Sequence, residues 1–73
     1  MYLIIEIQKT SDSQVAIPPI ATRSTWLEAE SEFCRIRSIA ALSQVPWHSV
    51  ALMNDEGVLY DFKCYEHLPS ENA

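Results

Sequence analysis

Four residues have side chains that commonly bind soft metal ions or act as nucleophile and base, namely Cys34, His48, Cys64 and His67. Cys64 and His67 are three positions apart, a plausible local spacing for zinc, and the other two could complete a tetrahedral set of ligands. Against this, Cys34 lies on a predicted helix, His48 opens a predicted strand, and the chain has no C-x-x-C pair. We therefore expect no metal and no cofactor. The cysteines are interpreted as small apolar residues and the histidines as polar groups at strand ends.

The patterns of common enzyme sites are also missing from the sequence. A cysteine and a histidine can form a nucleophile pair, but no third residue is spaced to orient them. Gly57 is the only glycine, so no glycine-rich loop is available to bind phosphate. Tyr60, Phe62 and Tyr65 could stack on nucleic-acid bases, but no cluster of basic residues accompanies them. We expect a protein that is not an enzyme.

Length and charge narrow the class of protein further. The chain has 73 residues, 48% of them hydrophobic, which is typical of one globular domain. We assign that domain to residues 1–68 and a disordered tail to residues 69–73. The net charge of −5 argues against nucleic acid as a partner, because binding to phosphate backbones depends on clustered Lys and Arg. An acidic surface could bind a basic protein or mimic nucleic acid, but charge that keeps a small domain soluble is the interpretation we favour.

The chain is organised around a helix predicted from Thr25 to Ser43. Thr25 and Glu28 form a capping-box pattern, and Pro46 lies just beyond the end of the helix. One apolar stripe recurs at steps of three and four residues, as expected for a helix that packs on a core: Trp26, Ala29, Phe33, Ile36, Ala40 and Ser43.

A second apolar set on the same helix, Leu27, Cys34 and Ala41, repeats every seven residues. Glu30 and Arg37 fall between the two sets, so that the apolar arc is wider than one small sheet requires. Isolated exposed apolar residues are common on protein surfaces, and that explanation remains open. The alternative is a partner surface that contains two charged residues.

Runs of aromatic and β-branched residues predict four strands, two before the helix and two after it: Tyr2 to Gln8, Gln14 to Ile17, Trp47 to Met53 and Val58 to Tyr65. Pro18 and Pro19 place the second strand at a sheet edge, because proline cannot donate to a ladder. Asn54 to Gly57 is the strongest turn signal. The predicted fold is α+β, with two layers in a ββαββ pattern. Its four-stranded antiparallel sheet has the order 2-1-3-4 and carries the helix on one face.

Both faces of this predicted sheet are apolar. We place one set under the helix: Leu3, Ile5, Ile7, Val50, Leu52, Tyr60 and Phe62. The opposite, uncovered face then carries Tyr2, Ile4, Trp47, Ala51, Met53, Leu59 and Tyr65. A shift of one residue in register would exchange the two sets, but one apolar face would still lack a cover. Such a surface predicts association.

Association is also expected from the small size of the core. A domain of this length usually gains stability from disulfides, metal or a second chain. The two cysteines allow at most one intrachain disulfide, and no segment has the pattern of a signal peptide or membrane span. We therefore expect a cytoplasmic protein with reduced thiols, no membrane partner, and a homodimer as the route to stability.

The chain resembles a group of small bacterial proteins of ββαββ pattern, associated with gut bacteria and with prophage-like or mobile elements. The resemblance rests on short motifs and extends from the YLIIEIQ start to Cys64-Tyr65-x-His67. The motifs between these ends are Ala29-Glu30-Ser31, Phe33, Ala40-Ala41-x-Ser43, and His48 with the strand to Gly57. Those proteins tend to have His at the position of Cys34 and Gly in the first connector, where this chain has Asp12-Ser13, so no role for a helix histidine is carried over. The resemblance implies a bacterial cytoplasmic setting and no established activity.

Three hypotheses for function follow. The first is a non-enzymatic interaction domain that self-associates through an apolar sheet or helix face. The second is an acidic inhibitor or nucleic-acid mimic that acts on a phage or host protein, and the third is a small metal- or ligand-binding domain. For the first, the predicted contact residues are Tyr2, Ile4, Leu27, Glu30, Arg37, Trp47, Ala51, Met53, Leu59 and Tyr65.

Overall fold

The computed structural model describes residues 1–67, which form one helix and one antiparallel sheet of five strands. The elements are β1 (Tyr2–Lys9), β2 (Val15–Ala16), β3 (Ala21–Arg23), α1 (Trp26–Leu42), β4 (Trp47–Asn54) and β5 (Leu59–Glu66). The predicted α+β class with one helix and an antiparallel sheet is confirmed. The predicted tail, residues 69–73, lies outside the described residues. No helix within residues 1–67 is long and apolar enough to cross a membrane.

The sheet has one more strand than the sequence predicted, so the order 2-1-3-4 is incomplete. β1 pairs with β4, β4 pairs with β5, and both β2 and β3 pair with the other edge of β1. The sequence predicted no strand between Pro19 and the helix, but Ala21–Arg23 forms β3 opposite Tyr2–Ile4. Pro18 and Pro19 cannot donate to the ladder. They therefore interrupt the pairing along this edge, which resumes beyond them.

The helix begins and packs as its sequence pattern predicts. The Thr25 side chain accepts a hydrogen bond from the Glu28 amide at 3.3 Å, which satisfies one of the free amides at the helix start. Four residues of the predicted stripe are buried and pack against three sheet residues, and together they form the core: Ala29, Phe33, Ile36, Ala40, Ile4, Val50 and Leu52.

The predicted faces of β1 are exchanged in the structure. Ile4 lies opposite Leu52 and is 1% exposed, and Tyr2 also packs against the core. Paired residues of neighbouring strands share a face, and successive residues alternate between faces. Leu3, Ile5 and Ile7 therefore lie on the side away from the helix. Both sets of β1 side chains are apolar, so the sequence pattern could not decide between the two registers.

A β-bulge corrects the predicted faces of β5. Leu52 pairs with Asp61 but Met53 pairs with Leu59, so Tyr60 is an additional residue on β5. An additional residue reverses the alternation beyond it. Phe62 therefore moves to the face away from the helix and Tyr65 to the helix side, where it packs against the core. Of the residues predicted to lie on the uncovered face, Tyr2, Ile4 and Tyr65 were wrongly placed.

The bulge directs Tyr60 toward the helix side of the sheet. Its ring is 5.9 Å from the ring of Tyr2 and 5.3 Å from the ring of Trp26, measured between centroids. Tyr2 and Trp26 are themselves 5.6 Å apart in an edge-to-face arrangement, a geometry that aromatic pairs prefer. This aromatic trio closes one end of the core and joins β1, α1 and β5.

The turn that joins β4 to β5 matches its prediction. The Gly57 amide donates to the Asn54 carbonyl at 3.2 Å, and Gly57 has a φ of 88°. Residues with a Cβ atom rarely adopt a positive φ, and this accounts for glycine at this position. The Asn54 side chain accepts hydrogen bonds from the amides of Glu56 and Val58, both at 2.9 Å.

Candidate functional site

The main unexplained surface is the side of the sheet opposite the helix, which we call the open face. Within residues 1–67, no helix or strand packs against it. Its apolar side chains follow from the observed pairing of β1, β4 and β5: Leu3, Ile5, Ile7, Trp47, Ala51, Met53, Leu59 and Phe62. The sequence predicted four of these residues as contacts, namely Trp47, Ala51, Met53 and Leu59. It assigned Leu3, Ile5, Ile7 and Phe62 to the covered face.

A shallow groove of about 390 Å³ runs across the centre of the open face, and among residues 1–67 Ser49 supplies its only polar side chain. The groove is lined by Ile5, Ile7, Ser49, Val50, Ala51, Met53, Leu59 and Phe62. Ile7 is 43% exposed, Leu59 52% and Phe62 60%. Contiguous apolar surface of this kind is uncommon on monomers and usually marks a contact site.

Charged residues lie at one end of the open face. Lys9 pairs directly with Trp47, and its ammonium nitrogen is 5.2 Å from the centre of the indole ring. Glu66 pairs with Trp47 from the other side. These residues form a polar margin beside an apolar centre, which is the usual composition of a protein–protein interface.

The helix surface predicted as an alternative contact is less continuous. Leu27 is 78% exposed, but Glu30 and Arg37 lie along a groove between α1 and β5. The lining of that groove is mixed, since it includes aromatic residues and Asp61. The Arg37 guanidinium is 5.8 Å from the centre of the Phe33 ring. The groove beside the helix therefore contains charged side chains, whereas the groove of the open face is lined within residues 1–67 by apolar side chains and Ser49.

A polar pair lies on the helix side of the sheet and consists of the buried His48 and the partly buried Glu6. We predicted His48 to be a polar group at a strand end, and in the structure it is also buried, with 2% exposure. Its Nε2 lies 2.6 Å from a carboxylate oxygen of Glu6, and its Nδ1 has no partner within residues 1–67. Glu6 is the one acidic residue in the apolar first strand, and this was the available signal for a buried polar partner. Because the pair faces away from the open face, we assign it a structural role.

Replacing Glu6 with leucine is expected to lower the free energy of unfolding by about 1–3 kcal/mol, because both ring nitrogens of His48 would then be buried without partners. Leucine keeps most of the volume of the side chain, so the loss reports on the polar pair. Glu6→Gln retains a hydrogen-bonding group at this position and is expected to cost less. Urea denaturation followed by circular dichroism measures both variants, and equal stabilities would contradict the structural role.

Glu32 joins the helix to β3 through Arg23 and pairs within the helix with Arg35. Arg23 donates to Glu32 at 2.7 Å, and Arg35 binds its other carboxylate oxygen. The hydrogen bond from Arg35 lowers the pKa of Glu32, with a further contribution from Arg23, and the carboxylate raises the pKa of Arg35. Since the pKa of Glu32 is lower in the folded state, these contacts stabilise the fold above its ordinary pKa. The stabilisation is lost as the pH falls through the lowered value.

Within residues 1–67, the two cysteines and His67 belong to no cluster of three or more metal-binding side chains. Cys34 and Cys64 are both free and exposed, and Cys64 lies on the same side of the sheet as the open face. His67 lies beside the helix end, with Nε2 2.9 Å from the Ala40 carbonyl oxygen. Within the part of the chain that the structure describes, no three His, Cys, Asp or Glu side chains come together to bind a metal ion.

The acidic residues do not form one surface within residues 1–67. Asp12 lies in the turn after β1, whereas Asp55 lies at the opposite end of the sheet. Four of the acids within residues 1–67 are next to positive or hydrogen-bonding partners: Glu6 with His48, Asp12 with the Thr10 hydroxyl, Glu32 with two arginines, and Asp55 with the amino terminus at 3.7 Å. This distribution gives no support to the hypothesis of a nucleic-acid mimic.

Comparisons of the chain with protein-family models, with curated proteins and with solved structures found no match. The resemblance to small bacterial proteins therefore stays a prediction. The open face is the feature on which a function can be argued.

Proposed function

We propose that this protein is a small, non-enzymatic interaction domain that forms a homodimer by packing the open faces of two copies together. The observation that carries the proposal is the apolar groove across the sheet face, whose centre contains no charged side chain. The setting that we propose, from the resemblance, is the bacterial cytoplasm.

Packing between the two sheets would place the helices outside and a second core between the sheets. Sheets pack face to face at about 10 Å when the inner side chains interdigitate. The open face has both raised and recessed positions, so two copies can interdigitate. The raised positions are the exposed side chains of Ile7, Leu59 and Phe62, and the recessed positions are the small residues Ser49 and Ala51. The charged margin of Lys9 and Glu66 would remain at the border, where solvation is retained.

The expected affinity is moderate. Burying an exposed Ile, Leu or Phe side chain contributes about 1.5–3 kcal/mol when the side chain was fully exposed. Ile7, Leu59 and Phe62 start near half exposure, so each contributes less than that range. Association itself costs roughly 4–15 kcal/mol. The other apolar side chains of the two open faces add to the gain from burial, and we expect a dimer that dissociates in the micromolar range, which corresponds to a net association free energy of about −8 kcal/mol.

Size-exclusion chromatography with light scattering tests this proposal. At concentrations moderately above the dissociation constant but below the submillimolar range, we expect a mass of twice the monomer mass of 8.3 kDa. A mass that stays at the monomer value up to millimolar concentration would contradict self-association.

A further inference from the structure

The outer edge of β5 is a second surface without a partner. β5 has eight residues, and seven of them are exposed. No strand within residues 1–67 pairs with this edge, whereas the edge of β1 at the other side of the sheet is covered by β2 and β3. Long exposed edge strands are prone to pair with another chain, and natural proteins usually protect them.

The direction of the free amides along β5 follows from its pairing with β4. The His67 amide donates to the Pro46 carbonyl at 2.7 Å. In an antiparallel ladder, alternate residues bond to the same neighbour. Tyr65 and Lys63 therefore bond toward β4, while the amides and carbonyls of Phe62 and Cys64 point outward. The free edge thus offers donors and acceptors at alternate positions.

Two opposite charges flank Phe62 on this strand. Asp61 pairs with Leu52 and Lys63 pairs with Val50, so both charged side chains lie on the helix side of the sheet. Both are exposed. Charged residues on an edge strand often prevent pairing. Here their spacing makes the edge complementary to itself when a second copy runs antiparallel.

We propose that the edge of β5 pairs with β5 of a second copy in one register, with Phe62 opposite Phe62 of the second copy. The two Phe62 residues then exchange a pair of backbone hydrogen bonds. Asp61 of each copy lies directly opposite Lys63 of the other, and opposite charges at such positions stabilise a sheet. The next registers that keep the hydrogen-bonding pattern shift the second copy by two residues. One of them places Asp61 opposite Asp61 and the other places Lys63 opposite Lys63, and both arrangements are repulsive.

This contact is distinct from the dimer proposed above. The two-fold axis of an edge-to-edge pair is perpendicular to the sheet, so both helices lie on one side and the two open faces join on the other. The contact buries little apolar surface and relies on main-chain hydrogen bonds, each of modest net value. We therefore expect it to be weaker than the contact between open faces and to be populated at submillimolar to millimolar concentration.

Charge reversal at the edge tests the register. In protein that also carries Ile7→Lys, a change that weakens the contact between open faces equally in the parent and in the variants, Asp61→Lys or Lys63→Asp alone places like charges opposite each other. We expect each variant to self-associate about tenfold more weakly than the Ile7→Lys parent. An equimolar mixture of the two variants restores complementary charges, and its association is expected to recover to the level of the parent. Sedimentation velocity at millimolar concentration measures all of these samples.

Glu56→Lys provides the matched control, because it changes the net charge by the same amount as Asp61→Lys but lies in the exposed turn before β5. Glu56→Lys alone is expected to associate like the parent, and its mixture with Lys63→Asp is expected to show only the association of the two separate variants, with no gain from mixed pairs. An equal gain from mixed pairs with Glu56→Lys would overturn the register, and unchanged self-association of the Asp61→Lys and Lys63→Asp single variants would overturn the edge contact. The outcome is independent of the proposed dimer: if open faces do not associate, Ile7→Lys leaves the mass unchanged, and the charge reversals still test the edge.

Discussion

Replacing Ile7 with lysine is expected to make the protein monomeric at micromolar concentration without unfolding it. Ile7 is 43% exposed and lines the groove of the open face, so a long polar side chain can reach solvent in the monomer. In the proposed dimer the ammonium would be buried without a partner, a costly arrangement. We expect at least ~30-fold weaker association, corresponding to the loss of about 2 kcal/mol at a central contact residue. Sedimentation equilibrium measures the change, and circular dichroism checks the fold.

Two further lysine substitutions control for the change in charge and locate the contact. Leu42 is the last residue of the helix and is 87% exposed, so Leu42→Lys is expected to leave the dimer intact. Leu27→Lys tests the helix surface that the sequence offered as an alternative. If Leu27→Lys dissociates the dimer and Ile7→Lys does not, the contact is on the helix and the proposed use of the open face is wrong.

Replacing Phe33 with alanine is expected to unfold the isolated domain at room temperature. Phe33 is 2% exposed at the centre of the core, and removal of a buried phenylalanine costs about 3–5 kcal/mol. A core of this size rarely supplies more than about 3–5 kcal/mol in total. The loss of the helical circular dichroism signal at low protein concentration measures this effect.

The conservative variant Phe33→Leu is the control for this prediction. It keeps most of the apolar volume and is expected to remain folded, with a loss of roughly 1.5 kcal/mol or less. Because a dimer contact stabilises the folded state by mass action, raising the protein concentration is expected to recover part of the structure of Phe33→Ala. A cooperative unfolding transition of Phe33→Ala close to that of the natural chain would show that the core is larger than α1 and the sheet account for.

The sequence predicted the elements whose signals are local. The helix has a cap at Thr25 and an apolar stripe with a period near 3.6 residues, and both features act within the segment itself. The turn before β5 depends on the backbone of Gly57. These features require no knowledge of the neighbouring elements, so the helix and the turn could be predicted.

The faces of the strands could not be predicted, because they depend on pairing between distant segments. β1 is apolar on both sides, so its own pattern does not show whether Ile4 or Ile5 faces the helix. On β5 the bulge at Tyr60 reverses the alternation of side chains between the two faces, and no residue pattern in the sequence indicated the bulge. The prediction that one apolar face lacks a cover does not depend on these assignments, since exchanging the two sets leaves the same kind of surface.

β3 and the polar pair were missed for a similar reason. Ala21–Arg23 is too short to show a strand pattern, and it pairs because the chain beyond Pro19 returns to an unoccupied part of the β1 edge. Glu6 and His48 are 42 positions apart, so their contact could be seen only in the folded chain.

The most direct test of the open face as the contact between copies is an isotope-filtered nuclear Overhauser measurement on a mixture of labelled and unlabelled protein. We expect intermolecular signals that connect the methyl groups of Ile5, Ile7 and Leu59 with one another and with the ring of Phe62. At millimolar concentration, the absence of such signals from these side chains, or their restriction to Leu27 and the helix surface, would contradict the proposed dimer.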